Sequence, residues 1–367
     1  MSLRVLFAGG GTGGHLFPGI AVAEELQRRN SHVEICFATT NRPIEKQILA
    51  QTRFRHRFCE LESTTSPYRH PVQSYRRFKQ ASRFAREEIV EFHPAIIIGL
   101  GGFISFPFVL LARRQKCRVV ILEQNIIVGR ATWLNSYRAS QVCLSYPQTK
   151  GKLSQKCQQI ITGNPIRESI RAANENSLDT SEKKKLIILG GSQGARNLNS
   201  AVLLAMEKLQ HELKEWEIFH QTGELDRERV ENRYQQLKLN VTTAAFFDRP
   251  EELYRGASLA ISRAGATTLA ELACIGCPAI LIPYPHATHN HQLANARYYE
   301  SNGAAVIIPD RKLECDNTVS IARENNPLAQ QLQELLRSPE LLNNARQSMS
   351  QLGRPEAARD VVDVILG

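Results

Sequence analysis

The chain has 367 residues, of which 42% are hydrophobic and 22% are charged, and its formal net charge is +10. That length exceeds one ordinary hydrophobic core, so we expect two domains of about 150 to 200 residues each. No uninterrupted apolar run approaches the roughly 18 to 20 residues of a membrane span, and a strand-like segment follows Met1 where a signal peptide would stand. The sequence therefore predicts a protein that stays in the cytoplasm.

The positive charge predicts an acidic partner, for which nucleic acid, anionic lipid and a diphosphate substrate all qualify. Basic residues are dense in the first third of the chain, and aromatic residues are interleaved with them. This set comprises Arg53, Arg55, Arg57, Arg69, Arg76, Arg77, Lys79, Arg83 and Arg86, with Tyr68, Tyr75, Phe78 and Phe84. Aromatic anchors beside cations are typical of a membrane interface with anionic headgroups, and a solvated basic helix is the alternative.

Eight cysteines are present, and Cys274 and Cys277 form the only C-x-x-C pair. Without a second close pair, a zinc ribbon is disfavoured. The pair straddles the end of a predicted helix and the following strand, which favours two buried small hydrophobic residues over a thioredoxin-like redox pair.

The first glycine loop reads GGGTGGH over residues 9–15, between an apolar run at residues 3–8 and a helical pattern. Glycine permits positive φ and a close backbone approach, so such a loop can wrap an anion or a sugar phosphate. The spacing also fits a dinucleotide-binding fingerprint. However, the next predicted strand, residues 32–38, ends in Thr39 and Thr40, where an NAD-binding fold would place an acidic residue for the ribose. The interpretation of the chain as an NAD-dependent enzyme that transfers hydride thereby loses its best support.

Two further predicted strands of the first half end in glycine-rich or polar segments. Residues 95–98 lead into GLGG at residues 99–102, and residues 118–122 lead into Glu123-Gln124-Asn125. In an open parallel sheet, the loops at the carboxyl ends of the strands share one crevice. We therefore expect both segments to converge with the first glycine loop.

A second alternating series of strands and helices follows a break at residues 162–165, TGNP, which predicts an interdomain hinge. Residues 186–189 lead into a further glycine loop, GGSQGA, at residues 190–195, and strands are predicted at residues 217–220 and 244–247. The second half is thus expected to form one parallel sheet covered by helices. Ser192 and the loop N–H groups can hold a phosphate, which Arg167 near the hinge can neutralise.

Residues 262–296 combine a strand end, a helix start and a polar loop. Arg263 follows an apolar run, and a helix is predicted to open at Gly265 and to stop at Gly276. The N–H groups at such a helix start suit a diphosphate, and Glu271, one turn in, suits a ribose diol. The next run carries neutral groups that suit sugar hydroxyls, namely His289, Asn290, His291, Gln292 and Asn295. The alternative is that these residues only cap a helix and decorate a surface loop.

The last predicted helix, residues 355–366, is amphipathic, with Ala357, Val361, Val362 and Ile365 on its apolar side. We expect it to cross back onto the first domain.

Seven motifs occur in order along nearly the whole chain: GGGTGGHLFPG, GLGGFISFP, LEQN, GNPIR, GGSQGA, HQTG and the stretch from SRAGATTLAEL to NHQLANA. In this set the chain resembles the MurG family, the peptidoglycan N-acetylglucosaminyltransferases. The resemblance implies an α/β fold of the GT-B type, with two Rossmann-like parallel-sheet domains that face a central cleft. It implies an acceptor-binding and membrane-associating domain at residues 1–163, onto which a C-terminal helix at about residues 352–367 packs, and a UDP-sugar donor-binding domain at residues 164–351.

The implied reaction moves N-acetylglucosamine from UDP-N-acetylglucosamine (UDP-GlcNAc) to the C4 hydroxyl of MurNAc in undecaprenyl-diphospho-MurNAc-pentapeptide (lipid I), which gives lipid II. The implied partners are both substrates, an anionic membrane surface and other proteins of cell-wall synthesis and division, with no nucleic acid, no cofactor and no metal. The implied location is peripheral, on the cytoplasmic face of the cell inner membrane.

By position, the functional residues of the family fall on residues that the pattern had already singled out. His15 is our candidate for the catalytic base. The acceptor-binding residues that the resemblance implies are Thr12, His15, Gly101 and Gly102. The donor-binding residues it implies are Thr12, Gly13, Gly14, Asn125, Arg167, Ser192, Arg263, Glu271, His291 and Gln292.

Three positions depart from the family pattern. Leu122 stands where many members have His, Phe103 where some have Tyr, and Thr132 where Asn is usual. These changes remove polar groups near the predicted acceptor site, so His15 becomes the stronger candidate for the base. Holding an acceptor hydroxyl or phosphate is the alternative role for His15.

The expected chemistry inverts the anomeric carbon without a metal, because helix N-termini, Ser192 and Arg263 would stabilise the UDP leaving group. Two rival functions remain open at this stage. One is a GT-B transferase that acts on another membrane lipid such as diacylglycerol, and the other is a non-catalytic UDP-sugar-binding scaffold. A dehydrogenase is a more distant third.

Overall fold

The structure is a computed structural model that describes residues 2–11, 13–61, 71–175, 184–191, 194–287, 290–310 and 326–367. The chain divides into two compact units. The first unit comprises Met1–Arg167 together with Glu356–Gly367, and the second unit comprises Glu168–Pro355. None of the helices in the described ranges is both long enough and apolar enough to cross a membrane.

Strands and helices alternate through both units. The strands are β1 Arg4–Gly9, β2 Glu34–Thr40, β3 Arg55–Cys59, β4 Ile96–Gly101, β5 Arg118–Glu123, β6 Gln141–Leu144, β7 Gln158–Ile161, β8 Lys185–Leu189, β9 Glu217–Gln221, β10 Val241–Ala244, β11 Ala257–Ser262, β12 Ala279–Leu281 and β13 Ala305–Ile307. The helices are α1 Gly13–Arg29, α2 Pro43–Ala50, α3 Pro71–Phe92, α4 Ser105–Ala112, α5 Arg130–Ser136, α6 Glu168–Glu175, α7 Arg196–Lys208, α8 Arg227–Leu237, α9 Pro250–Tyr254, α10 Ala266–Cys274, α11 His291–Ser301, α12 Pro327–Arg337, α13 Pro339–Gln351 and α14 Ala357–Leu366.

The first unit contains a parallel sheet in the order β3-β2-β1-β4-β5-β6-β7. Its central strand β1 is covered on both faces, with Phe7 in one apolar cluster and Leu6 in another. Burial on both faces explains why β1 is a continuous apolar run and does not alternate. The strand order reverses between β1 and β4, so the loops at the carboxyl ends of these two strands flank a crevice.

The second unit contains a parallel sheet in the order β10-β9-β8-β11-β12-β13. Its strand order reverses between β8 and β11, the two strands that precede the second glycine loop and Arg263. The predicted α/β class, with two Rossmann-like parallel sheets, is therefore confirmed.

Strands at and near the sheet edges differ from the prediction. Strands β6, β7 and β13 were not predicted, and two further edge strands, β10 and β3, show why. The strand predicted at residues 244–247 is wrong by three residues, because β10 ends at Ala244 and Phe247 instead sets its ring 6.2 Å from that of Phe219. Strand β3 was not predicted at all. Its sequence alternates arginine with His56 and Phe58, and the arginines pair with glutamates of α3, so no buried apolar run marks it.

Helix α14 follows the second unit in the chain but packs against α1 of the first unit. Val361, Val362 and Ile365 are buried in the same apolar cluster as the inner face of α1. Burial of side chains of this size stabilises a fold by roughly 2 kcal/mol each. Arg118 donates to the carbonyls of Ile365 at 3.0 Å and Val364 at 2.6 Å, which supplies partners for a helix end that has none of its own.

The cysteines in the described ranges are free thiols, and most are buried. Burial raises the pKa of the Cys36, Cys59, Cys143 and Cys277 thiols to about 12. Thiols that remain protonated are poor nucleophiles, so these side chains act as small apolar residues of the core.

Candidate functional site

The first glycine loop and the turn after β4 lie against each other at the point where the first sheet reverses its order. The N–H of Gly10 donates to the carbonyl of Gly101 at 3.3 Å. Gly101 and Gly102 have φ of +94° and +73°, in the region that favours glycine. A Cβ on Gly102 would stand 2.3 Å from the Gly10 carbonyl oxygen. Close backbone contact therefore requires glycine at this turn.

His15 lies in the first turn of α1 and its ring faces the same turn. A Cβ on Gly101 would lie 3.2 Å from the ring carbon Cε1 of His15. The imidazole therefore lies in space that a larger residue at position 101 would occupy. Nδ1 of His15 is 3.0 Å from Oε1 of the buried Gln124. The structure thus brings together His15, Gly101 and Gly102, three of the four residues predicted to bind the acceptor; the fourth, Thr12, lies outside the described residues.

The contact with Gln124 decides which nitrogen of His15 carries the proton. The amide nitrogen of Gln124 donates to the carbonyl of Leu122 at 3.4 Å, which leaves Oε1 directed at the imidazole. An amide oxygen only accepts, so Nδ1 of His15 must be the protonated nitrogen. The lone pair of the neutral ring is therefore on Nε2, where a general base needs it.

Glu123 holds the segment that follows β5. Its buried carboxylate accepts from the backbone N–H of Asn125 at 3.0 Å and from the N–H of Gly129 at 3.0 Å, at the start of α5. The side-chain amide of Asn125 is also 3.4 Å from Glu123. Asn125, a predicted donor contact, is thus set in place by its neighbour. The sequence marked Glu123 only as one of several polar residues at a strand exit.

The turn Gly101–Gly102 has a second support that the sequence did not reveal. The hydroxyl of Ser105 donates to the carbonyl of Gly102 at 2.9 Å, and the amide of Asn135 donates to the Ser105 oxygen at 3.0 Å. Ser105 and Asn135 are both fully buried. This chain of hydrogen bonds ties the turn to α4 and α5.

The three departures from the family pattern have different surroundings. Leu122 is buried in the apolar cluster under α1, and Thr132 is buried at the start of α5. Phe103 is 43% exposed, and the guanidinium carbon of Arg77 lies 5.4 Å from the centre of its ring. Leucine at position 122 therefore suits its apolar surroundings, and Phe103, two residues before α4, lies partly exposed beside Arg77 of α3.

The other donor contacts predicted in the first unit lie beside the glycine loop. Gly13 and Gly14 begin α1. The guanidinium carbon of Arg167 lies 4.4 Å from the ring centre of Phe17, which is also in the first turns of α1. Aromatic stacking of this kind holds a guanidinium in one position.

Arg263 is the predicted site residue of the second unit whose side chain has the most contacts described here. It follows β11 and is largely buried, and its Nη1 donates to Oδ2 of Asp310 at 3.1 Å and to the carbonyl of Ile282 at 3.0 Å. Asp310 is buried as well, and its other oxygen, Oδ1, has no hydrogen-bond partner in the described part of the chain. The ring of Tyr284 lies 5.7 Å from the guanidinium carbon. The guanidinium is thus fixed at the end of β11.

The start of α11 is joined to the same region. Oε1 of Gln292 accepts from the N–H of Tyr284 at 2.9 Å, and the amide of the buried Asn295 is 3.5 Å from the carbonyl of Ala264. Asn290, directly before the helix, has φ of +53°. The structure therefore brings His291 and Gln292, at the start of α11, next to the segment that carries Arg263; Ser192 and His289 lie outside the described residues.

Glu271 is buried on α10, and the hydroxyl of Tyr254 donates to its Oε2 at 2.9 Å. The sequence predicted that this carboxylate accepts from a ribose. In the structure, its Oε2 already accepts a hydrogen bond from a side chain of the protein itself.

A buried polar network orders the loop beside the second glycine loop. His220 bonds the Tyr234 hydroxyl at 2.8 Å and the Asn199 amide oxygen at 3.0 Å, and Asn199 donates to the Thr222 carbonyl at 2.9 Å and to Asp226 at 2.8 Å. Complete burial lowers the pKa of His220 to about 3. The ring is neutral, and it joins α7, β9 and α8.

Exposed apolar side chains mark one surface of the first unit. Val72 and Tyr75 on α3 are 66% and 68% exposed. The exposed rings of Trp133 on α5 and of Tyr137, which directly follows α5, stack edge to face. Helices α3 and α5 both contact α4. We call the α3 part of this surface, with its basic residues, the α3 patch: Val72, Tyr75, Arg76, Arg77, Lys79, Arg83 and Arg86.

Not all of the predicted basic residues belong to the α3 patch. Arg57 pairs with the buried Glu88 at 2.9 Å, and Arg55 pairs with Glu91. Their charges are compensated within the fold. Within the α3 patch, Arg83 also has an acidic neighbour, Glu87 at 2.8 Å. Tyr68 and Arg69 lie outside the described residues.

Two protein-family models match the chain, one in each half. The model of the glycosyltransferase family 28 N-terminal domain matches residues 5–144, and the model of the corresponding C-terminal domain matches residues 185–361. The matches cover the strands of both sheets except β7.

Curated relatives match over the full length. The chain is 36% identical over 368 residues to the UDP-N-acetylglucosamine–N-acetylmuramyl-(pentapeptide) pyrophosphoryl-undecaprenol N-acetylglucosamine transferase of Thermodesulfovibrio yellowstonii, with 99% of this chain and 98% of that protein covered. It is 34% identical over 371 residues to the protein of the same name from Stutzerimonas stutzeri, with 100% and 99% covered.

Solved structures agree with these matches. MurG of Acinetobacter baumannii superposes with a TM-score of 0.74 at 26% identity, with 99% of each chain covered. The UDP-GlcNAc 2-epimerase of Neisseria meningitidis, solved with UDP-GlcNAc, superposes with a TM-score of 0.67 at 15% identity, with 100% of each chain covered. At that identity the second match shows the fold alone.

Proposed function

The chain belongs to the MurG family of glycosyltransferases, and we propose on this basis that it moves N-acetylglucosamine from UDP-GlcNAc to the C4 hydroxyl of MurNAc in lipid I, which yields lipid II. One observation of the site carries the chemistry. His15 is held with Nδ1 on the amide oxygen of Gln124, so that its Nε2 lone pair is available beside the two glycine segments.

In the proposed mechanism, Nε2 of His15 removes the proton from the C4 hydroxyl as that oxygen attacks the anomeric carbon of the donor. The new C–O bond forms as the bond to UDP breaks, so the centre inverts and a β-1,4 link results. The Nδ1–H of His15 keeps its bond to Gln124, and that bond steadies the imidazolium while it carries the extra proton. A positioned base of this kind contributes typically about 100-fold to 10,000-fold to the rate.

We assign acceptor binding to Thr12, His15, Gly101 and Gly102. The support is the packing of Gly101 and Gly102 on the first glycine loop and on the His15 ring. Glycine at these two positions allows this close packing, which brings the turn, the loop and the imidazole together in one place.

We assign donor binding in the second unit to Ser192, Arg263, Glu271, His291 and Gln292. Arg263 is the best supported of these residues, because a fixed guanidinium at a strand end suits the charge that develops on UDP as it leaves. In the first unit we assign donor contacts to Thr12, Gly13, Gly14, Asn125 and Arg167. The start of α1 and the stacked Arg167 offer positive potential for the diphosphate.

We further propose that the protein is peripheral to the cytoplasmic face of the cell membrane and binds it through the α3 patch. Exposed Val72 and Tyr75 can enter the headgroup layer, and the neighbouring cations can bind anionic lipids. Lipid I carries an undecaprenyl chain, so an enzyme that uses it gains from such contact. Other proteins of cell-wall synthesis and division remain proposed partners.

The test is release of UDP from UDP-GlcNAc by the purified protein, with and without a soluble lipid I analogue. UDP-glucose replaces the donor in one control, and diacylglycerol replaces the acceptor in another. We expect release that requires the lipid I analogue and favours the acetylated sugar. Binding of UDP-GlcNAc without release in any arm would refute the proposed activity.

A further inference from the structure

A buried carboxylate lies beneath the first glycine loop. Glu45, in the first turn of α2, is fully buried, and its Oε1 accepts from the N–H of Gly11. Its Oε2 accepts from the N–H and from the hydroxyl of Thr40, each at 2.8 Å. One side chain therefore joins the end of β2, the start of α2 and the loop after β1.

The fit around this carboxylate is close. A Cβ on Gly10 would lie 2.9 Å from Oε1 of Glu45, so only glycine leaves room for it. From the same helix start, Nη1 of Arg42 donates to the carbonyl of Gly11 at 2.6 Å. Both backbone polar groups of Gly11 are thus bound by side chains that flank the start of α2.

Glu45 gives the loop a different role from that of a dinucleotide-binding loop. Such a fold places an acid at the end of the second strand to bind a ribose, whereas here Thr40 stands at that end and the acid follows five residues later. The carboxylate of Glu45 instead accepts a hydrogen bond from the glycine loop, at the N–H of Gly11. A phosphate at the Gly11 N–H would have to displace Glu45 and would meet its negative charge.

We infer that Glu45 is a positioning residue for the glycosyl transfer, an inference that rests on the function proposed above. Its carboxylate holds residues 9–11 against the turn Gly101–Gly102, and α1 begins at Gly13 with His15 in its first turn. The contact between His15 and Gln124 depends on where α1 begins. Misplacement of a reacting group by about 1 Å can lower a rate about 100-fold, so a small shift of the loop has a large effect.

The decisive variant is Glu45→Gln, which keeps the shape of the side chain and replaces one acceptor oxygen by an NH₂ group. That group cannot accept from a backbone N–H, so either the Gly11 or the Thr40 contact is lost. We expect kcat with the lipid I analogue to fall by about 30-fold or more, while KM for UDP-GlcNAc stays within about 2-fold. We also expect faster amide hydrogen exchange in peptides that cover residues 9–16, with exchange in the second unit unchanged.

Two further variants separate positioning from general loss of stability. Glu88→Gln is the matched control, because Glu88 is a similarly buried carboxylate of the first unit that pairs with Arg57 of β3. It should leave kcat within about 3-fold. Arg42→Ala removes an exposed side chain from the other side of Gly11, and it should lower kcat by about 3-fold to 10-fold with the same unchanged KM.

Glu45→Gln with kcat within about 3-fold of the parent overturns the inference, as does an equal loss in Glu88→Gln. If Glu45→Gln does not fold, Arg42→Ala decides, and unchanged kcat and unchanged loop exchange in that variant refute the role. A parent protein that never releases UDP would refute the proposed function instead. In that case the exchange experiment still tests whether Glu45 holds the loop.

Discussion

Gln124 accepts the Nδ1 proton of His15 at 3.0 Å, and this bond gives the imidazole a single useful tautomer. Gln124→Met removes the acceptor while keeping a similar volume, so the ring can turn and exchange its proton between the two nitrogens. We expect kcat to fall about 10-fold to 100-fold, with KM for UDP-GlcNAc nearly unchanged. Steady-state kinetics with the lipid I analogue measures both values.

Gln124→Glu is the complementary test, because a carboxylate at this position still accepts from Nδ1. Its negative charge also stabilises the imidazolium that forms when Nε2 takes the proton of the C4 hydroxyl. We therefore expect kcat to stay within about 3-fold of the parent protein, in contrast to the loss in Gln124→Met. Equal losses in Gln124→Glu and Gln124→Met would mean that the contact with Nδ1 does not prepare His15 as the base.

Arg263 depends on Asp310 for its position in the second unit. Asp310→Asn removes the negative charge that pairs with the guanidinium and leaves the side-chain shape intact. We expect Kd for UDP to rise about 10-fold, as measured by isothermal titration calorimetry. The control is Glu212→Gln, which breaks the exposed pair with Arg337 at 2.8 Å in the same unit and should leave Kd within about 2-fold. Equal weakening in both variants would speak against a specific role for Asp310.

Glu271 has two candidate roles, one towards a ribose and one towards Tyr254. Tyr254→Phe removes the hydroxyl at 2.9 Å and leaves the carboxylate in place. We expect Glu271→Ala to weaken UDP binding by about 10-fold or more, and Tyr254→Phe by about 3-fold at most. Equal affinity in Glu271→Ala and the parent protein would remove the ribose assignment, whereas equal weakening in both variants would give Glu271 a structural role only.

The buried His220 predicts a loss of stability in acid. Its pKa is about 3 in the folded protein and near 6.5 when unfolded, so below pH 6.5 the unfolded chain binds a proton that the folded protein does not. The free energy of unfolding should therefore decrease as pH falls from about 6.5 towards 3, by about 2 kcal/mol between pH 7.5 and 5. Denaturant unfolding at the two pH values measures it.

His220→Gln provides the comparison for this effect. Glutamine can bond both Tyr234 and Asn199 but does not titrate, so the variant should lose about 2 kcal/mol less stability than the parent protein over the same pH interval. Equal losses would assign the acid sensitivity to other groups.

The α3 patch predicts binding to anionic membranes. A Val72→Ser, Tyr75→Ser double variant should bind vesicles of anionic lipid about 10-fold more weakly than the parent protein in a sedimentation assay. Salt should weaken the parent's binding as well, because the basic part of the patch is screened. Leu341→Ser removes a similarly exposed apolar side chain from the second unit and should have no effect. An equal loss of vesicle binding in Leu341→Ser would show that exposed apolar side chains in general, and not the α3 patch in particular, cause the binding.

The parallel sheets could be predicted because most of their strands are buried on both faces. Strands such as β1 and β8 are nearly continuous apolar runs that lead into glycine, and this pattern is typical of the inner strands of a parallel sheet. The edge strands β3 and β10 were missed or misplaced for the opposite reason. Their residues are partly exposed and polar, and they are strands because a neighbouring strand offers its free edge.

In the site, the glycine loops and His15 were predictable, but the residues that hold them were not. The partners Gln124 and His15 are 109 residues apart in sequence, and Glu45 and Gly11 are 34 apart. No periodicity links such pairs, because the contacts arise only when parallel strands bring distant loops to one edge of the sheet. The Ser105 and Asn135 supports of the second turn were missed for the same reason.

The position of α14 also affects how the chain folds during synthesis. Because α14 follows residues 168–355, the ribosome delivers it only after the whole second unit, roughly 10 to 40 s after Arg167 at about 5 to 20 residues per second. Throughout that interval the nascent first unit lacks Val361, Val362 and Ile365 on α1, and Arg118 lacks the carbonyls it caps. The growing chain therefore carries an uncovered apolar face that chaperones can bind, and the first unit reaches its full stability only after the second has been translated.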